Sequence, residues 1–246
     1  MSIATLDSAA RPRLRYTNVA ILLHWLIAAL ILYNLTSGLL RPLLPRGFFV
    51  FHVSSGITIL ALSLVCVGWR LTHRPPPYLP MAGWEKGLAR VIHFLLYAAM
   101  LLLPFSGWAM ISANPPAGSP GAAWAAENPA GPPPAPTLKP DTRVRGGPAG
   151  EGKGGGQPPR KRGPTLVWGL FPLPMIAPVQ QLGSTPDGVP EQRAVHERIE
   201  RVHALGGWVL LALLLLHVGG ALKHQLVDRQ RELARMGLGR TRPTIG

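Results

Sequence analysis

The sequence predicts an all-α integral membrane protein, a four-transmembrane-helix bundle interrupted by one long polar loop. Three observations lead there. Four apolar stretches, roughly Val19–Leu40, Phe48–Trp69, Val91–Ser112 and His203–His224, reach or approach the ~20 residues that a helix needs to cross a bilayer. Charges are scarce inside them, although the 246-residue chain carries a formal charge of +14 at pH 7. The bases therefore lie outside the spans, where anionic lipid and topology explain them; no recognition motif for nucleic acid accompanies them. A chain of this length can form one or two domains, and four spans favour a single membrane domain over residues 1–246.

Residues 1–17 are polar, with Arg11, Arg13 and Arg15 shortly before the first span. That start imitates a signal peptide, but the apolar stretch behind it exceeds a usual signal core, and Thr36 and Gly38 make a weak cleavage pattern. The expectation is an uncleaved first helix. Arg70, Arg74, Lys86 and Arg90 follow the second span, and Lys223, Arg229, Arg231, Arg235, Arg240 and Arg242 stand at the C-terminal end. Only Arg41 and Arg46 lie between the first two spans. This bias places both termini in the cytoplasm. Cys66, the sole cysteine, lies in the second span and reads as a small packing residue. A single cysteine excludes an intrachain disulfide and any C-x-x-C-H site for covalent haem.

The long connection after the third span begins with a Pro/Gly/Ala-rich insert, about Asn114–Pro164. Its apolar side chains are too few to offset the entropy of ordering it, so disorder is expected there. Lys153 among glycines lacks the Gly-Lys-Ser/Thr ending of a phosphate loop. Order is expected to resume at Leu166–Pro174, an aromatic and apolar run suited to a membrane interface. Pro190–Val202 alternates charges and predicts a short surface helix leading into the fourth span.

Histidines carry the chemistry. His203 and His217 are fourteen residues apart, nearly four helical turns and about 21 Å, so both lie on one face of the fourth span. A histidine inside a membrane helix is costly and usually faces a functional interior. With the N-terminus inside, His24 and His217 lie about 9–10 Å from the inner surface, and His52 and His203 stand at the outer ends of their helices. Two facing imidazoles form a six-coordinate haem iron site suited to electron transfer. Zinc would want four ligands at one depth, and the sequence offers no such cluster. One turn beyond each histidine stands a small residue, Ala28, Gly56, Gly207 or Ala221, which permits close approach of a flat macrocycle. Ordinary small-residue helix packing is the rival explanation. His93 has Tyr97 at that position and competes with His24 for the inner site. His93 and His224 are both expected at the inner interface, where a quinone headgroup could meet a proton-exchanging side chain; interfacial hydration is the alternative. His73 and His196 read as solvated.

Ile21–Leu26 around His24, Phe51–Ile57 with His52 and Gly56, His93–Tyr97 with Pro104 and Gly107-Trp108, Gly169–Pro174, and His203–His224 with Asp228 and Leu233–Met236 together resemble the bacterial cytochrome b561 family. The likeness runs from about Tyr16 to Met236, apart from the insert. It implies a four-helix inner-membrane protein holding two b-type haems and exchanging electrons with the quinone pool. Carried over by position, His24, His52, His203 and His217 would be axial iron ligands, with ubiquinone as substrate. Family members often have His-His where this chain has Lys223-His224, and His224 matches the second, near quinone. The resemblance also extends to a superoxide:ubiquinone oxidoreductase, which takes electrons at the periplasmic face. A membrane-anchor subunit docking a periplasmic dehydrogenase or reductase, a homodimer, and a haem-free histidine-bearing transporter are the competing expectations.

Overall fold

A computed structural model of the chain describes residues 15–129 and 164–239. Its four long helices are α1 (Asn18–Leu39), α2 (Arg46–Thr72), α3 (Gly83–Ser112) and α6 (Val189–Leu226), and each is long and apolar enough to cross a membrane. Thr17 starts α1 by accepting the Ala20 N–H at 3.3 Å, one of the orphan donors of a helix start. The same hydroxyl accepts the Trp69 indole N–H at 3.1 Å, which ties the end of α2 to the beginning of α1.

Two helices exceed the apolar stretches that predicted them. α3 begins eight residues before Val91, because Glu85 reaches back to the Ala82 N–H at 3.2 Å and caps a polar first turn. Hydropathy marks only the part of a helix that lipid would cover. The expected surface helix at Pro190–Val202 and the fourth span are one 38-residue helix. Pro190 sits in its first turn, where a missing N–H costs nothing, and no proline follows to break it.

α1 packs along α2, α2 along α3, and α3 along α6, while α1 meets α6 at few points. Successive spans run in opposite directions, so the chain's described ends share one end of the bundle, here the terminal end. The other is the cap end. At mid-height, Ile27, Ile31, Ile59 and Leu210 form a buried aliphatic belt, joined by Leu62, Cys66, Met100 and Leu214.

The cap consists of α4 (Pro120–Glu127), a hairpin of β1 (Leu166–Val167) and β2 (Phe171–Pro172), and α5 (Ala177–Gln181). The expectation of disorder from Asn114 onward fails over residues 114–129. Ser119 caps α4 by accepting the Ala122 N–H at 3.1 Å, and the Gly121 N–H reaches the Ser184 carbonyl at 3.0 Å. A Cβ at Gly121 would strike the Gly183 carbonyl, so only glycine allows this approach. Arg193 of α6 donates to the Asn128 carbonyl and lies 5.5 Å from the Trp124 ring centre. Local composition could not reveal that partner surface. The rest of the insert, 130–163, lies outside the described residues.

The hairpin forms where order was expected. Its turn places Trp168 and Gly169 at φ 54° and 72°, the mirror-image turn that suits the twist of paired strands. A bulky residue there is strained. Contacts with α2 offset the strain: the Trp168 N–H donates to Ser54 Oγ at 2.8 Å, and its indole donates to Thr58 Oγ1 at 3.0 Å. Ser112 of α3 likewise accepts the Ile176 N–H at 3.0 Å.

Candidate functional site

The helices bring four of the predicted histidines together as two pairs. Near the cap, His52 of α2 and His203 of α6 have ring centres 6.4 Å apart. Near the termini, His24 of α1 and His217 of α6 are 6.2 Å apart. All four are half-buried. Leu210 lies midway between His203 and His217, so the aliphatic belt separates the two levels.

These separations fit an iron between each pair. Two metal–nitrogen bonds of about 2 Å, with about 1 Å more to each ring centre, span about 6 Å. Direct ring contact would be closer. The helix surface beside the rings is also bare where it should be. A Cβ at Gly207 would meet no protein atom within 4 Å, and one at Gly56 would meet only Asn34 Oδ1, at 3.8 Å. Among the described residues, no group of three or more His, Cys, Asp or Glu is arranged to hold a bare metal ion.

His93 and His224 were both expected at the inner interface, and the structure gives them different neighbours. His93 stands ten residues into α3, with its ring 5.1 Å from that of His217 and perpendicular to it. Its Nδ1–H donates to the Ala89 carbonyl at 2.6 Å, along its own helix, and the side chain is exposed. A cleft beside it is lined by Tyr16, Arg70, Tyr78, Arg90 and Tyr97. His224 lies two turns beyond His217, at the terminal end, with its Nδ1 2.6 Å from Asp228. Lys223 bonds the same carboxylate at 2.9 Å and also bridges to Glu85 at the start of α3. Lys223 first, and then His224, hold the Asp228 carboxyl below its ordinary pKa. His73 is exposed as expected, stacked on Trp69 with ring centres 3.7 Å apart.

The sequence reading missed the groups behind the cap-side pair. Ser37 of α1 places Oγ 2.9 Å from His52 Nδ1, and Ser106 of α3 places Oγ 2.9 Å from His203 Nδ1. The glycine after each serine makes room for the ring: a Cβ at Gly38 or Gly107 would lie 3.3 Å from Cε1 of His52 or His203. The Ser-Gly dipeptides at 37–38 and 106–107 were a weak signal, since α2 carries the same dipeptide at Ser55-Gly56 without that role.

A profile of the family described as prokaryotic cytochrome b561 matches residues 15–239. A probable superoxide oxidase, CybB, of Yersinia pestis is 31% identical over 102 residues, covering 39% of this chain and 58% of that protein. The chain thus spans little more than half the length of the curated relative it matches. The family match covers nearly the whole sequence and includes both histidine levels. The four apolar helices and that match agree: the chain belongs to the prokaryotic cytochrome b561 family, haem b-binding integral membrane proteins of electron transfer.

Proposed function

We propose that the protein is a di-haem cytochrome b of the bacterial inner membrane, passing electrons between a donor on the periplasmic side and the quinone pool. The observation that carries this reading is the doubled pair: two histidines fourteen residues apart on α6, each facing a histidine of another helix across about 6 Å. His52 and His203 would hold one haem, and His24 and His217 the other, through their ring nitrogens. Haem b held there supplies reversible one-electron transfer. Gly56 and Gly207 let the helix backbones come close to the macrocycle, and the Ile27–Ile59–Leu210 belt excludes water between the two levels.

The cap then faces the periplasm and both termini the cytoplasm, as the distribution of bases favours. Superoxide is the candidate donor because a relative is named a probable superoxide oxidase. At the terminal end, Asp228 holds Nδ1 of His224, leaving Nε2 to exchange a proton with a ubiquinone headgroup. His93 offers a second such nitrogen beside Arg70 and Arg90. The entire sequence serves as one domain on this reading.

The test is a dithionite-reduced minus oxidised spectrum of the purified protein, with haem counted per polypeptide. Quinone reduction by superoxide and other donors would then be assayed. Two extractable haems b per chain are expected. A count of one, or haem that stays on the polypeptide after acid-acetone extraction, refutes the reading.

A further inference from the structure

We propose that Ser37 and Ser106 are positioning residues for the cap-side haem ligands. Each hydroxyl accepts the Nδ1 proton of its histidine, which turns Nε2 into the metal-binding nitrogen and lowers the reduction potential of that haem. The proposal rests on the di-haem reading above. It concerns residues on α1 and α3, the two helices that supply no cap-side ligand.

The argument starts from proton counting. A serine hydroxyl has one proton to give. Ser37 Oγ donates to the Asn34 carbonyl at 3.2 Å, and Ser106 Oγ donates to the Leu103 carbonyl at 2.7 Å. With that proton committed, each oxygen meets its imidazole only as an acceptor. Nδ1 of His52 and of His203 must then carry hydrogen, and the lone pair falls on Nε2. Ser37 is buried at 7% exposure and Ser106 half-buried, so bulk water is a poor substitute. The arrangement occurs twice, from different helices and at the same 2.9 Å. In both copies the next residue is a glycine whose bare α-carbon abuts the ring.

Among the described residues, neither His24 nor His217 makes a hydrogen bond through its ring. The two levels are therefore electronically different. An imidazole that gives up part of its Nδ1 proton is the stronger donor to a metal, and it favours the more positive oxidised iron. Two such bonds hold the cap-side site at lower potential than the same ligands would without them.

Potentiometric titration of purified wild type, Ser37→Ala, Ser106→Ala and the matching Thr variants tests this. Each Ala variant should move the cap-side midpoint positive, changing the oxidised-to-reduced ratio at a fixed poise by up to about tenfold, or about 59 mV for one electron. Thr should restore the wild-type value, and the terminal-side midpoint should stay put. Unmoved midpoints in both Ala variants, with haem retained, overturn the proposal. If the Ala variants lose the cap-side haem, the Thr variants decide: haem retained supports the hydroxyl's role, and equal loss overturns it. His52→Ala serves as the control on the ligand assignment. A cap-side haem that survives His52→Ala overturns the di-haem reading and this proposal together.

Discussion

Replacing His93 with alanine is expected to leave both haems bound, whereas His24→Ala should remove one or turn it high-spin. Two imidazoles sharing an iron need ring centres about 6 Å apart. His24 and His217 stand at 6.2 Å, close to the 6.4 Å of the cap-side pair. His93 and His217, at 5.1 Å, are about 1 Å too close. Opening that gap would mean moving a ring whose Nδ1 is tied to the Ala89 carbonyl at 2.6 Å. Such a bond is worth about 1 kcal/mol, a further resistance to rearrangement. The assay is haem per polypeptide, with low-temperature paramagnetic resonance to separate high-spin from low-spin iron. His217→Ala should behave as His24→Ala does, with the cap-side signal unchanged. Loss of a haem in His93→Ala alongside an intact complement in His24→Ala would refute the reasoning. α3 would then face α6 across the iron.

Three further outcomes are expected. Ser54→Ala removes the acceptor of the Trp168 N–H at a fully buried site, costing the hairpin about 1–3 kcal/mol; limited proteolysis within 164–176 should quicken, and an unchanged rate would disprove the docking role. Deleting 130–163 should preserve haem content, since closure entropy changes only slowly with the length of a connection. Extending the cut to remove α4 should instead loosen the start of α6, which hydrogen exchange of residues 189–195 would report. The Asp228 carboxyl has a depressed folded pKa, so its contribution is present above the ordinary value of 3.8 and lost as pH falls through the folded value. Amide protection at residues 226–228, taken against the intrinsic exchange rate at each pH, should therefore fall in acid, and at neutral pH in Asp228→Asn; equal protection in variant and wild type at pH 7 would count against the clamp.

Much of the bundle was legible because a lipid-crossing helix is a property of composition over one window. Length and hydropathy suffice for α1 and α2, and fourteen residues on one helix fix the relative placement of His203 and His217. Where a partner decides the structure, the local signal fails. α4 looked like part of a formless insert because its stabilising surface, Gly183–Thr185 and Arg193, lies some sixty residues further on. The contact of the His93 ring with His217 was not legible either, because it depends on how α3 meets α6. The serines behind His52 and His203 were missed for a related reason. Their meaning depends on which helix faces which, and one helix's pattern does not contain that.

α6 has a mechanical consequence of its own. At 38 residues it is about 57 Å long, close to twice the thickness of a bilayer's hydrocarbon layer. Its polar turns, from Val189, and both histidines belong to one rod with no joint between them. One residue inserted between His203 and His217 would swing one imidazole about 100° relative to the other and lengthen their separation by about 1.5 Å. No side-chain adjustment absorbs a swing of that size, and a nearby loop cannot take it up. The interval between those histidines is therefore a fixed gauge: it can change in residue identity, but hardly in length.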